Sequence, residues 1–270
     1  MKPQDDPARD PGESEDEKAV AMLLESLRKV RELREAMQRF RVLEKSALSG
    51  DDAATAYETL SSQVETNIQG AMDNINALGE LVLNAHMLPA FAHFGLLRNA
   101  LEMVGMGLWL LGPNTRDERV LRSLQAALEA RRDHFNAVAE IGGEAGAFPT
   151  TDLVKLMLET QRDARPGLRG ASLNVPSISS RLRGAQHYCS EGEYTLLGLW
   201  RLTSGAMHGR RAILKDLLEH EVIDSSESEV RARATSGVVV VANVARHVEI
   251  HLFDLVFLLL ARAGHRSAAI

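Results

Sequence analysis

Glu193-Tyr194-Thr195-Leu196-Leu197-Gly198-Leu199-Trp200-Arg201-Leu202-Thr203-Ser204-Gly205-Ala206-Met207-His208-Gly209 is the stretch whose periodicity says most about this chain. In a helix successive residues are about 100° apart, so positions three, four and seven apart share a face. Tyr194, Arg201, Ser204 and His208 then fall on one stripe, with Leu197 between them. A phenol, a guanidinium, a hydroxyl and an imidazole are an unusual load for a helix face. Together they can bind and cleave a phosphodiester, or they can satisfy one another inside a helix interface. The spacing marks the site and leaves both uses open.

Arginine, six residues and histidine (Arg201 to His208) resemble the signature of the HEPN superfamily of helical domains. A second stretch adds to it: Leu97-Arg98-Asn99-Ala100-Leu101-Glu102, then Trp109-Leu110-Leu111-Gly112-Pro113, then Arg116, Glu118, Arg119 and Arg122. This pairing of motifs is similar to a group of actinobacterial HEPN-like proteins, and the resemblance spans roughly Phe91 to Arg211. It implies a helical bundle and, in the nuclease members, metal-independent RNA cleavage between two signature helices facing across a dimer. HEPN nucleases place a polar residue directly after the arginine; this chain has Leu202, which points away from catalysis.

Composition agrees with an all-α fold: 4% aromatic residues, abundant Ala, Leu, Glu and Arg, and eight prolines in 270 residues. The length suffices for a large core. A net charge of −6 argues against bulk electrostatic binding of nucleic acid. That balance is skewed by Asp5, Asp6, Asp10, Glu13, Glu15, Asp16 and Glu17. Without these seven acids, Lys2 and Arg9, the remainder carries −1, so local basic patches can exist. The single Cys189 excludes an intramolecular disulfide and suits a reducing compartment. Met1 is followed by acids rather than by a basic and then apolar leader, and the run from Leu252 to Ala261 is about half a membrane span. The expectation is a soluble cytoplasmic protein with no membrane contact.

Along the chain, residues 1–17 read as a disordered acidic head. Residues 18–89 read as two long amphipathic helices, the first from Lys18 to Ser49-Gly50 and the second, with Tyr57 to Val82 on its apolar face, ending before Pro89. Residues 90–265 read as the HEPN-like bundle. It comprises helices over Phe91 to Leu111, Thr115 to Ile141 and Thr150 to Arg165, then a poorly patterned loop to Cys189. The signature helix follows from Gly192 to Leu218, kinked at Gly209, and a last helix from Glu229 to Ala263. Val238 to Val241 is strand-like, but an isolated strand lacks a partner, so helix is expected there. The long first helix needs a surface for its stripe, which predicts a homodimer.

Arg98 and Glu102 lie four apart on an apolar helix, where unpaired charge is expensive. Both are expected inside, meeting Arg201, Ser204 and His208 in a buried polar centre with Glu102 paired to Arg201. Arg116, Arg119 and Arg122, with Arg210 and Arg211 after the signature, could rim the site as phosphate ligands or form a solvated face balanced by Asp117, Glu118 and Glu129. His247 and His251, four apart with Asp254 following, have zinc-like spacing, but no third ligand is evident. No metal and no cofactor are expected.

Two functions follow. The first is a HEPN-like interaction module, open to a protein partner, whose buried Arg/Glu/Ser/His centre binds a small ligand or only fixes helix packing. The alternative is a metal-independent endoribonuclease of toxin or phage-defence type. There Arg201 offsets phosphoryl charge, and His208, with Ser204 and Tyr194 beside it, moves the proton.

Overall fold

A computed structural model describes residues 14–142, 150–225 and 230–265. The fold is an all-α bundle. Helix α1 (Glu15–Met37) opens with a capping box: Ser14 Oγ accepts from the Glu17 N–H and Glu17 returns a bond to the Ser14 N–H. Residues 14–17 are therefore cap and first turn, which corrects the disordered head at its C-terminal edge; residues 1–13 lie outside the described residues.

The first helix also stops earlier than its stripe suggests. After Met37 the chain turns back so that Leu43 N–H donates to Ala263 O and Arg41 O pairs with the His265 ring. Phe40 and Leu43 cover the end of the last helix, a task their spacing cannot distinguish from one more helical turn. A short α2 (Ala47–Ala54) follows, capped by Ser46. Next come α3 (Leu60–Gly79), which begins after Tyr57 rather than before it, and one π turn at Glu80–Asn84.

The centre of the molecule is α4 (Ala92–Leu111), with Leu97, Leu101, Val104, Leu108 and Leu111 fully buried. By length and composition it could cross a membrane, but 61% of it is buried inside the bundle. Helices α5 (Arg116–Glu140) and α6 (Thr151–Asp163) pack as a pair around a second core of Val120, Leu124, Leu128, Val154 and Leu158. Inside the expected loop lies α7 (Ile178–Ala185), capped by Ser177 and anchored by Leu182.

The signature helix is divided into α8 (Leu196–Met207) and α9 (Arg211–Leu217). An antiparallel hairpin of β1 (Leu218–Ser225) and β2 (Val230–Ser236) then leads into α10 (Val238–Arg262). The strand-like Val238–Val241 run is helical as expected, whereas the helix expected to begin at Glu229 begins at Val238. Val230, Ala232 and Ala234 alternate with polar residues, and Val222 lies in the partner strand, so the strand pair was present in the pattern.

Directions follow from contacts. Ser26 pairs with Glu249 and Leu43 with Ala263, so α1 runs parallel to α10. Gly107 lies against Leu255 and Arg262 reaches the Gly112 and Pro113 carbonyls, so α4 is parallel to α10 as well. Gly105 meets Leu196, Glu102 meets Trp200 and Gly95 meets Met207, so α8 runs against α4. The stripe of α1 is therefore satisfied within its own chain by α10 and α3, which removes the argument that it needs a second subunit.

Candidate functional site

Thr195 starts α8 by accepting the Gly198 N–H at 3.1 Å, while Gln186 Oε1 accepts the Leu196 N–H at 2.7 Å. Leu196, Leu199, Thr203 and Ala206 face inward, leaving Arg201 exposed and Ser204 half-buried. The helix is closed by a Schellman turn. Gly209 N–H bonds Ala206 O at 3.0 Å and Arg210 N–H bonds Gly205 O at 2.9 Å, with Gly209 left-handed at φ +67°. His208 occupies the cap, and its N–H reaches Ser204 O at 3.0 Å. The His-Gly pair is thus a helix stop, and it holds the exposed His208, Arg210 and Arg211 at one edge, with Lys215 further along α9. Among the described residues none of these cations, nor Arg201, has an ion pair or a side-chain hydrogen bond.

The buried five-residue centre does not assemble. Glu102 Oε2 accepts from Trp200 Nε1 at 2.8 Å and from Arg98 Nη2 at 2.9 Å, and the Arg98 guanidinium lies 5.2 Å from the Trp200 ring centroid. Trp200 is the residue opposite Glu102. Arg201 is turned 100° further, to solvent. Arg98 and Glu102 are still a quarter exposed. Leu202, where HEPN nucleases carry a polar residue, packs beside Phe94 and Ala206. His93 is buried with its ring against Phe94; burial pushes its pKa down to about 4 against the opposing Pro89 carbonyl bond. No sequence pattern marked His93.

Most of the α5 arginines face inward. Asp51, fully buried, accepts from Arg119 Nε at 2.7 Å, Arg119 Nη2 at 3.1 Å and Arg116 Nε at 3.0 Å. Arg119 Nη1 also donates to Pro113 O at 2.9 Å. Arg122 pairs with Glu118, donates to Trp109 O at 2.6 Å and stacks on that ring. Arg116 and Arg119 therefore fasten α2 and the Gly112-Pro113 turn to α5, Arg119 from a buried position and Arg116 from an exposed one. The buried partner, Asp51, lies 65 and 68 residues away in the chain, beyond the reach of any local spacing.

Tyr194 precedes the α8 cap and so leaves the expected stripe; its ring lies 5.3 Å from that of His247. A hydrogen bond with Glu193 raises its phenol above the ordinary value. His247 Nδ1 contacts Asn243 O at 2.8 Å, and His251 Nδ1 contacts Asp254 Oδ2 at 3.3 Å. Asp254 also accepts from Ser190 N–H at 2.8 Å and Ser190 Oγ at 2.5 Å, latching the loop before α8 onto α10. Burial opposes the Asp254 carboxylate, but the bonds from His251 and Ser190 outweigh it and hold its pKa below the ordinary value. Burial, with Asp254 nearby, pushes the Cys189 thiol up to about 12. Among the described residues no group of three or more His, Cys, Asp or Glu side chains is placed to hold a metal ion.

Two open grooves, of about 630 Å³ beside Phe40 and His265 and about 580 Å³ beside Glu65 and Met103, lie away from α8. The exposed α8–α9 edge carries the cations Arg201, Arg210, Arg211 and Lys215. Comparison of the chain with family models, with curated proteins and with solved structures finds no match.

Proposed function

We propose that this chain is a HEPN-like helical module that binds the phosphates of RNA along the α8–α9 edge, in the cytoplasm. One observation carries the reading: Arg201, His208, Arg210 and Arg211 are exposed and without partners among the described residues, whereas Arg98, Arg116, Arg119, Arg122 and Arg181 are each paired. Clustered like charges repel unless an anion is present, and arginine forks match phosphate. In a titration of fluorescent single-stranded RNA, affinity should fall as salt rises. Arg201→Ala and Arg210→Ala should each weaken binding across sequences and lower the salt slope by about 1. Both variants should unfold within about 0.5 kcal/mol of the parent, because exposed side chains contribute little to stability. Equal binding by parent and variants would end this reading.

A second reading is metal-independent RNA scission, favoured by the exposure of Arg201 and His208 to an incoming strand. Seven residues of helix separate them by about 10 Å of rise. An α8 from a second copy facing the first would complete a site around one phosphodiester, so this reading carries the homodimer with it. Leu202, committed to packing, offers such chemistry nothing.

A further inference from the structure

Helix directions bring Ser14, where an oppositely charged part of the chain is attached, to the end of the bundle that carries the cationic edge. α1 and α10 run parallel with Ser26 level with Glu249, so Glu15 at the start of α1 lies level with Val238 at the start of α10. Val240, one turn into α10, packs in the cluster that holds Phe94, Leu202, Ala206 and Ile213. Ile213 and Ala206 belong to α9 and α8, the two helices that carry Arg201, His208, Arg210, Arg211 and Lys215. Ser14 therefore sits at the same end of the bundle as the edge, with one or two helix diameters (about 10–20 Å) between them.

Residues 1–13 precede that point, and they carry Asp5, Asp6, Asp10 and Glu13 against Lys2 and Arg9. Thirteen residues reach at most about 45 Å, well beyond the gap. Glu17 is committed to the cap at Ser14, so the carboxylates that can cross the gap are those four. On the edge itself the described acid is Asp216, beside Lys215. Among the described side chains the cations thus outnumber the acids on the edge, and a short connection raises the effective concentration of the acidic segment there to the millimolar range.

We propose that the acidic segment of residues 1–13 is the intramolecular occupant of the Arg201–Arg211 edge, and that RNA binds by displacing it. The proposal rests on the reading of that edge as a phosphate-binding surface. An occupant with a dissociation constant of about 0.1 mM at about 1 mM effective concentration lowers apparent RNA affinity about tenfold.

The test uses three proteins and one peptide. The proteins are the full chain, a chain lacking residues 2–13, and a full-length variant with Asp5→Asn, Asp6→Asn, Asp10→Asn and Glu13→Gln. The peptide is a fluorescein-labelled copy of residues 2–13. Ser14 and Glu17 cap α1 without the deleted residues, and circular dichroism checks that all three proteins fold alike. The expected result is RNA binding about tenfold tighter for the truncated and neutralised chains at low salt. The peptide should bind the truncated chain, and that binding should be lost with added salt and with Arg210→Ala/Arg211→Ala. RNA binding that is intact but indifferent to truncation and neutralisation would overturn the intramolecular occupant and leave the RNA reading standing. Peptide binding without RNA binding would keep the occupant and discard RNA as the ligand. Failure of both would discard both.

Discussion

Individual side chains in this protein divide between those that hold the fold and those left to solvent, and charge alone does not tell them apart. Asp51 and Arg119 are both buried, so each is tolerable only because the other is present. Asp51→Ala should lower the unfolding free energy by about 3–5 kcal/mol in a urea titration, since it strands the Arg119 guanidinium. Arg116→Ala at the exposed side of the same carboxylate should cost less than about 1 kcal/mol. His93 gives the molecule a pH dependence of known sign. Its folded pKa of about 4 lies below the unfolded value near 6.5, so the unfolded chain binds more protons between those limits. This contribution is fully present above pH 6.5 and is lost as pH falls toward 4, by roughly 2–3 kcal/mol. Replacing His93 with Asn should flatten the urea midpoint against pH across that window; an unchanged slope would assign it elsewhere.

At the scale of elements, periodicity located helices well and located their ends poorly. The stripe from Val20 to Leu43 continues past Met37 because Phe40 and Leu43 serve the end of α10 from a turn, and apolar spacing records burial rather than backbone state. The hairpin was lost for a related reason. Val238–Val241 drew attention as a strand without a partner, while the alternating residues that do form strands precede it in β1 and β2. Gly209 is the clearest agreement, because a kink there was legible from glycine alone. The structure adds that its positive φ ends α8 in a Schellman turn. Gly209→Ala should therefore cost about 1–2 kcal/mol in thermal unfolding, through the left-handed strain it imposes. Gly142, at the end of α5, is left-handed and in open space like Gly209, and offers a control for the backbone penalty without α8.

Over the whole molecule, three parallel helices, α1, α4 and α10, are interleaved with the antiparallel α3 and α8, and the apolar α4 is enclosed by the others. This arrangement answers within one chain the need for a partner that the stripe of α1 suggested. It also gathers the starts of α1, α4 and α10 and the end of α8 at one pole. The cations of α8 and α9, the neutral His93 and the attachment point of residues 1–13 all stand at that pole, though they are far apart in sequence. The proposed anion binding, the proposed displacement of the acidic segment and the pH response of His93 would therefore all belong to one end of the bundle.

The sequence by itself determined the all-α class, the helix starts at Thr115 and Thr150, the break at Gly209 and the inward stripe of each long helix, but not the caps at Ser14 and Thr195. These are local matters, set by backbone propensity, side-chain-to-backbone hydrogen bonds and a repeat of 3.6 residues. Only the tertiary structure decided which charges are paired. Glu102 took Trp200 and Arg98 instead of Arg201, and Asp51 took Arg119 and Arg116. A helical stripe fixes the direction of a side chain to within tens of degrees but not what stands opposite it. One residue's rotation, 100°, separates a guanidinium in the interface from one in water.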